Sequence, residues 1–252
     1  GQGNDNFNIK EGSLYRFQLN GEYGNDIFNL SGKSYNSDVD IYGSYGNDIF
    51  NISGNPTFKD DVEFIGYYGN DTFNISGDFL YDRNYIDGGE DNDIIDISKT
   101  TGLTRSKTGV YIRGGTGNDS LIGSSESNRL IGDYGSDILE GGGGNDVLYG
   151  GNDSHKGDDD SVDIAIFSGS SNDYKVSRAT DSTFGHVYYI QDTRDGSPDG
   201  LDTLYDIDQL RFSDGEFDLS AYYSDQEKGG QGNDELTGTS GDDVIEGFGG
   251  ND

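Results

Sequence analysis

The stretch GSYGNDIF, residues 43–50, decides the fold, because the chain repeats it almost letter for letter. It returns as GEYGNDIF at 21–28 and as GYYGNDTF at 66–73. A fixed period of this length is typical of solenoids, in which each repeat adds one structural unit to a stack. The rest of the chain is therefore best compared with this repeat, aligned on its opening glycine.

Further copies of the opening six residues, G-x-x-G-N-D, follow along the chain with small changes. They lie at 88–93, 114–119, 132–137, 141–146, 229–234, 238–243 and 247–252, and residues 1–5 belong to one more. The closing Asp residues from Asp5 to Asp137 are 21, 22, 23, 22, 26 and 18 residues apart. From Asp137 to Asp146, and again after Asp234, the step shortens to nine.

The apolar residues predict two strands per repeat. After each loop they alternate with polar residues, as at Phe50 and Ile52, and a period of two marks a half-buried strand. A second apolar column stands two residues ahead of each opening glycine, at Leu19, Ile41, Phe64, Ile86, Ile112 and Leu130. Because one turn cannot bury its own apolar face, stability has to come from stacking. The sequence thus predicts an all-β fold, a right-handed parallel β-roll or β-solenoid with two facing sheets.

The loops predict a cation site. Their glycines permit positive φ and close backbone approach, so several carbonyl oxygens can converge while the closing Asp adds a carboxylate. Adjacent strands of a sheet lie about 4.8 Å apart, and carboxylates stacked at that spacing repel each other unless a cation lies between them. Ligation by oxygen alone, without imidazole or thiolate, suits Ca²⁺ rather than a transition metal.

Three loops resemble a known calcium-binding motif. GGTGNDSLI (114–122), GGGGNDVLY (141–149) and GGQGNDELT (229–237) are similar to the nonapeptide G-G-x-G-x-D-x-U-x of the repeats-in-toxin (RTX, hemolysin-type) β-roll family. The resemblance implies that successive nonapeptides alternate between two edges of the roll, with several Ca²⁺ ions between loops one full turn apart. Over 1–113 the likeness is looser, which implies a single row of ions along one edge.

The loops and the resemblance together predict the metal ligands. The side-chain ligands are Asp5, Asp26, Asp48, Asp71, Asp93, Asp119, Asn128, Asp137, Asp146, Asp234, Asp243 and Asp252. The backbone carbonyls are those of Gly21, Tyr23, Gly43, Tyr45, Gly66, Tyr68, Gly88, Glu90, Gly114, Thr116, Gly132, Tyr134, Gly141 and Gly143. Asn128 takes the Asp position of a degenerate copy, GSSESNRLI. The acidic segments GDDDSVD (157–163) and DTRDGSPDG (192–200) are further candidates for Ca²⁺ sites.

The chain divides into three predicted domains. Residues 1–153 form a calcium-binding β-roll, with long irregular turns over 1–113 and nonapeptide turns over 114–153. Residues 154–228 form a non-repetitive β-rich cap or insert, with strands at 162–169, 173–180 and 186–193 and a further hairpin. Residues 229–252 begin a second, truncated β-roll. A cap is expected because the last turn of a solenoid otherwise exposes unpaired strand edges.

Charge and composition exclude several classes of function. The chain has 48 acidic and 16 basic residues, a net charge of −32, which disfavours nucleic acids and anionic membranes as partners. No apolar run is long enough for a transmembrane segment, and no Cys is present for disulfides or thiolate ligands. His155 and His186 stand alone, so we expect neither a zinc site nor a catalytic triad. Acidic pairs abound, and no pair stands out as a glycosidase dyad. We therefore expect the chain to have no enzymatic activity of its own.

Two outward columns have alternative interpretations. The Tyr column predicts a stacked ladder that closes the loops, with sugar binding as the alternative. The Asn column predicts a solvent-facing amide ladder, with an ice- or glycan-binding face as the alternative. The columns are Tyr23, Tyr45, Tyr68 and Tyr134, and Asn8, Asn29, Asn51 and Asn74.

The predicted function is that of a calcium-binding structural module in a large secreted or cell-surface protein. Because the chain has no Met and opens inside a repeat, we expect it to be part of a longer protein. The chain stays unfolded in a calcium-poor cytoplasm and folds on extracellular Ca²⁺; the resemblance adds export by a type I secretion route. Two alternatives stay open: a stabilising module behind a secreted protease, lipase or alginate epimerase, and an adhesin segment. Besides calcium, self-association or attachment to a polysaccharide or cell surface stays open.

Overall fold

The computed structural model of the 252-residue chain describes residues 1–10, 17–32, 34–35, 38–54, 56–58, 61–79, 84–101, 110–153 and 161–219. Within them the regular secondary structure is nearly all β, with one 3₁₀ turn at Ser171–Asp173 and a single helical residue, Leu219. No helix in this described part has the length and apolar character needed to cross a membrane.

The described residues form 22 strands. The first eleven are β1 (Asn6–Ile9), β2 (Phe17–Tyr23), β3 (Ile27–Leu30), β4 (Ser34–Tyr35), β5 (Val39–Tyr45), β6 (Ile49–Ile52), β7 (Thr57–Phe58), β8 (Val62–Tyr68), β9 (Thr72–Phe79), β10 (Asn84–Glu90) and β11 (Ile94–Thr101). The others are β12 (Tyr111–Thr116), β13 (Ser120–Ile122), β14 (Arg129–Tyr134), β15 (Ile138–Glu140), β16 (Val147–Tyr149), β17 (Ile164–Ile166), β18 (Tyr174–Asp181), β19 (Gly185–Asp192), β20 (Leu201–Tyr205), β21 (Gln209–Phe212) and β22 (Gly215–Asp218).

The strands belong to two sheets that run the length of the solenoid. The first sheet has the order β1-β3-β6-β9-β11-β13-β15-β17-β21-β22, with β7 also paired to β9 and β4 to β7. The second has the order β18-β19-β20-β16-β14-β12-β10-β8-β5-β2. Successive turns pair in parallel, as β3 with β6 and β5 with β8. The fold is a parallel β-solenoid of about 6 turns, and the predicted fold class is confirmed.

The core consists of the two predicted apolar columns. Phe28, Phe50 and Phe73 stand in register on the first sheet and are fully buried. Their ring centroids are 5.0 and 4.2 Å apart along the column. The Phe50 ring also lies 6.5 Å from the ring of Phe64 on the second sheet, so the columns face each other. Burying such a side chain contributes about 1.5–3 kcal/mol, and the neighbouring turns supply that burial.

Residues 161–219 extend both sheets before they close them. Strand β17 pairs in parallel with β15 and β21, and β20 pairs in parallel with β16. Antiparallel strands then end each sheet, β18 and β19 on one and β22 on the other. The segment therefore adds turns to the solenoid, which the purely non-repetitive cap expected from the sequence would not do. The division into three domains stays a prediction.

Candidate metal-binding edges

The six-residue loops that close with Asp26, Asp48, Asp71, Asp93, Asp119 and Asp137 lead from a strand of the second sheet to the next strand of the first. In the loop 66–71, between β8 and β9, the second and fourth residues adopt positive φ, +79° at Tyr67 and +111° at Gly69. The fourth position approaches the neighbouring loop closely, since a Cβ on Gly69 would lie 2.2 Å from the Gly46 carbonyl oxygen. At position 69, glycine thus suits both the backbone conformation and the space, while in the loop 88–93 Asp91 takes the fourth position with a φ of +75°.

The opening glycine is needed for a different reason. Gly66 does not adopt positive φ. A Cβ there would lie 2.0 Å from Oδ2 of Asp71, the Asp that closes the same loop, and 2.4 Å from the Gly88 carbonyl oxygen. Gly43 shows the same pattern, with Asp48 Oδ2 at 2.2 Å from the Cβ position. Each closing carboxylate therefore folds back over its opening glycine, into space that also faces a carbonyl oxygen of the next turn.

The closing Asp residues form a hydrogen-bonded row, here called the first edge. The backbone N–H of Asp48 donates to Asp71 Oδ1 at 2.6 Å, and that of Asp71 donates to Asp93 Oδ1 at 2.7 Å. Every carboxylate in the row after Asp5 thus accepts a hydrogen bond from the backbone of the preceding turn through one oxygen. The members of the first edge are Asp5, Asp26, Asp48, Asp71, Asp93, Asp119, Asp137, Asp163 and Asp208.

A second, shorter row lies on the opposite edge of the solenoid, at the loops that lead into the second sheet. There the N–H of Asn128 donates to Asp146 Oδ1 at 2.6 Å, and the N–H of Asp146 donates to Asp202 Oδ1 at 2.7 Å. We call these three residues the second edge. Among the described residues this second row begins only in the nonapeptide turns, while the first edge also runs along the long turns; the expected rows of Ca²⁺ ions stay a prediction.

The other carboxylate oxygen lacks a hydrogen-bond partner at several of these positions. The buried Oδ2 atoms without one include those of Asp26, Asp48, Asp71, Asp93, Asp119 and Asp146. Burial, with a smaller contribution from the charge on Asp48, raises the pKa of Asp71 to about 8 against the opposing Asp48 N–H bond. Burial likewise raises the pKa of Asp93 to about 9 and that of Asp119 to about 7. At neutral pH a buried carboxylate of this kind is stable only when it is protonated or when a cation binds to it.

The atoms at these edges fit calcium. The Oδ2 atoms of Asp26, Asp48 and Asp71 each lie over an opening glycine that also meets a carbonyl oxygen of the next turn. No nitrogen or sulfur ligand is involved, and oxygen is the hard donor that Ca²⁺ prefers. Among the described residues no three His, Asp or Glu side chains cluster so as to hold a metal ion. A cation at these edges therefore also needs backbone oxygens, as the loops predict.

The predicted carbonyl ligands lie where neighbouring loops meet. The carbonyl oxygens of Gly43, Gly66 and Gly88 each lie close to the opening glycine of the preceding turn. Those of Tyr45 and Tyr68 accept hydrogen bonds of 2.9 Å from the fourth-position N–H of the preceding loop. Their assignment as ligands, like that of the Asp side chains, stays a prediction. Asp234, Asp243 and Asp252 lie outside the described residues.

Three members of the edges are absent from the predicted ligand set: Asp163, Asp202 and Asp208. A signal was available, because each is followed two residues later by an apolar strand residue, as in Asp202-Thr203-Leu204, which matches Asp146-Val147-Leu148. Long insertions hide the period at these places. Gly150 still opens the loop that Asp163 closes, since its Cβ position lies 2.5 Å from Asp163 Oδ2.

The candidate calcium segment 192–200 holds its own positive charge. Arg194 donates to both oxygens of Asp192, at 2.8 Å from NH2 to Oδ2, and its guanidinium also lies 3.1 Å from Asp199. The N–H of Asp199 donates to Asp192 Oδ2 at 2.9 Å. Arg194 therefore occupies the side of Asp192 and Asp199 that a cation would need, and the expectation of a Ca²⁺ site in this segment stays a prediction. Most of the other segment, 157–160, lies outside the described residues.

Both outward columns form ladders, although Tyr134 is not part of the Tyr stack, because Glu90 and Thr116 stand between Tyr68 and Tyr134 in the column. The rings of Tyr23, Tyr45 and Tyr68 stack with centroids 4.8 and 4.7 Å apart. In the Asn column, the amide of Asn51 donates to Asn29 Oδ1 at 3.0 Å, and that of Asn74 donates to Asn51 Oδ1 at 3.1 Å. The ladders account for both columns as features of the stack itself.

The fold and its edges define a parallel β-solenoid whose turns stack on rows of buried carboxylates. The RTX calcium-binding nonapeptide repeat matches the chain in four copies, at 111–125, 122–154 and 228–252. These repeats imply a Ca²⁺-binding β-roll module, so the predicted resemblance is confirmed. The N–H of Asp93 donates to Asp119 Oδ1 at 2.7 Å and so joins the matched turns to the earlier ones in one row. The comparison with curated proteins gives no match.

Proposed function

We propose that this chain is a structural module of a large secreted or cell-surface protein and that it folds when Ca²⁺ binds along its edges. The observation that carries the proposal is the row of buried carboxylates on the first edge. At Asp26, Asp48, Asp71, Asp93 and Asp119, Oδ1 accepts a hydrogen bond from the backbone of the preceding turn, while Oδ2 has no hydrogen-bond partner.

The division of work between the two oxygens gives the role of each residue. Oδ1 of Asp71 holds the Asp48 backbone and fixes the spacing of the two turns. Oδ2 of Asp71, with the nearby carbonyl oxygen of Gly88, is left for a cation. Bound Ca²⁺ supplies positive charge that removes the repulsion between stacked carboxylates. The same backbone-to-carboxylate hydrogen bonds continue the first edge to Asp163 and Asp208 and the second edge to Asp202, and we include these residues in the proposed ligand rows.

Calcium coupling suits a protein that works outside the cell. Extracellular calcium modules bind with dissociation constants of about 10⁻⁴–10⁻³ M, and a net charge of −32 opposes compaction when no cation is bound. Binding free energy then becomes folding free energy. The chain is thus unfolded during export from a calcium-poor cytoplasm and becomes rigid on arrival.

No catalytic role is part of the proposal. Most buried carboxylates of the described residues belong to the two edges, and the others, Asp133, Asp192 and Asp199, are paired with Arg113 or Arg194. His186 is exposed on β19, opposite Thr180, and His155 lies outside the described residues. What supports a structural role is that the chemistry-bearing side chains repeat along the stack instead of converging at one point.

The test is the calcium dependence of folding. Circular dichroism of the chain at neutral pH in a chelator should show a largely disordered spectrum. Millimolar Ca²⁺ should restore the β signal, and equal Mg²⁺ should restore much less, because Mg²⁺ demands a strict octahedral site and keeps its water. A cooperatively melting β spectrum in the chelator, unchanged by Ca²⁺, would refute the proposal.

A further inference from the structure

One loop of the second edge differs from the Asp loops in the atoms that it presents. In the loop 123–128 the closing residue is Asn128, which is buried with 2% of its surface exposed. Its backbone N–H donates to Asp146 Oδ1 at 2.6 Å, so the row of the second edge is kept. The side chain, however, offers an amide where the other loops offer a carboxylate.

The Asn128 side chain also lies in a different position. In the Asp loops, Oδ2 folds over the opening glycine, 2.3 Å from the Cβ position at both Gly114 and Gly141. At Gly123 the Asn128 amide nitrogen is 3.2 Å from that position, and the Gly141 carbonyl oxygen lies nearer, at 2.1 Å. The amide has therefore swung away from the glycine and toward the carbonyl oxygens between the loops.

Oxygen atoms surround the amide nitrogen. Asn128 Nδ2 donates to the Glu126 carbonyl oxygen and to Ser124 Oγ at 3.1 Å. It lies 3.4 Å from Asp146 Oδ1 and 3.5 Å from the Gly141 carbonyl oxygen. Carbonyl oxygens can only accept, so the donating nitrogen and not Oδ1 belongs on this side. Carbonyl and carboxylate oxygens from two adjacent loops are the set that a cation faces in the proposed calcium sites.

We propose that the Asn128 amide takes the place of Ca²⁺ between the loops 123–128 and 141–146. This inference rests on the proposed function, because it contrasts this loop pair with the calcium-binding Asp loops. It also reverses the expectation that Asn128 is a metal ligand. The loop pair is closed by hydrogen bonds, and the residue at position 128 determines whether this part of the second edge holds an ion.

The experiment counts bound calcium in three variants of the full chain. Equilibrium dialysis at millimolar Ca²⁺, followed by metal analysis, compares wild type with Asn128→Asp, Asn128→Ala and Asn74→Asp. Asn74 is an exposed member of the outward amide ladder, so its variant adds the same charge away from both edges. Asn128→Asp should hold an additional ion per chain, because its carboxylate would face the oxygens of Glu126 and Gly141 without a donor. Asn74→Asp should match wild type.

The alanine variant tests the same proposal from the other side. If the amide replaces the ion, Asn128→Ala should keep the wild-type number of ions while its melting temperature in saturating Ca²⁺ falls. Loss of an ion in Asn128→Ala would mean that Asn128 is a ligand and would overturn the proposal, even if Asn128→Asp did not fold. A folded Asn128→Asp with the wild-type count would overturn it as well. Absence of calcium binding by wild type refutes the proposed function instead.

Discussion

Replacing Gly66 with Ala tests whether the opening glycine is required by the carboxylate or by the backbone. Gly66 does not adopt positive φ, so Ala is allowed there and by itself should stabilise the fold by about 0.4–1 kcal/mol through the unfolded chain. The new Cβ, however, would lie 2.0 Å from Asp71 Oδ2 and 2.4 Å from the Gly88 carbonyl oxygen. Any destabilisation by Gly66→Ala should therefore come from the contacts of the new Cβ with the first edge and not from the backbone conformation.

The size of the effect follows from these distances. Ordinary contacts begin near 3.4 Å, so the Asp71 carboxylate has to move by about 1 Å or more. Overpacking of this kind costs about 1–3 kcal/mol, and displacement of Oδ2 also weakens its contact with the cation. We expect a net loss of about 2 kcal/mol, which raises the calcium concentration at the folding midpoint by more than tenfold if one ion carries it.

The assay is a calcium titration followed by circular dichroism, combined with a double-mutant cycle. Gly66→Ala and Asp71→Asn act on the same ligand. The stability lost by the double variant should therefore be much less than the sum of the losses of the two single variants. The control is Gly185→Ala, where φ is +80° and no atom lies within 4 Å of the Cβ position. The stability lost through strain in Gly185→Ala should add fully to the stability lost in Asp71→Asn when the two changes are combined. A wild-type midpoint for Gly66→Ala, or full additivity with Asp71→Asn, contradicts the role given to the opening glycine.

Other predictions concern the ligand row, pH and catalysis. Asp71→Asn keeps an acceptor for the Asp48 N–H but loses the charge, so it should lose about 3–5 kcal/mol in Ca²⁺ by thermal melting. Asp181→Asn should leave the melting temperature nearly unchanged, because its exposed Oδ1 only accepts hydrogen bonds from the N–H groups of Thr183 and Phe184, which an amide oxygen can also do. Equal melting temperatures of Asp71→Asn and Asp181→Asn would exclude Asp71 as a ligand. In calcium-depleted protein, burial raises the pKa of Asp71 from 3.8 to about 8, so its contribution is fully present below pH 3.8 and is lost as pH rises through 8. Lowering the pH from 9 to about 4 should therefore increase the metal-free β signal, and a loss of signal would contradict the burial of these acids. Finally, the chain should show no turnover of polysaccharides, esters or peptides; activity abolished by one acid-to-amide change away from the edges would refute the structural role.

The sequence alone was enough for the fold and for most of the first edge. The alternation at Phe50 and Ile52 and the recurring Asp at 26, 48 and 71 are local patterns, and a regular stack places equivalent residues above one another. The oxygen-only chemistry of the loops likewise follows from residue types. These features needed no knowledge of which turn lies beside which, because every neighbour carries the same pattern.

The rest was decided by the tertiary structure, where the repeat is irregular. The N–H of Asp146 donates to Asp202, 56 residues further along the chain. The insertion between them interrupts the regular spacing from which this pairing could have been predicted. The charge on Asp192 is met by Arg194, and the Asn128 amide finds oxygens of two loops. Sequence spacing does not encode such contacts, because the insertions between turns vary in length while stacking and hydrogen bonding depend only on which atoms finally lie side by side.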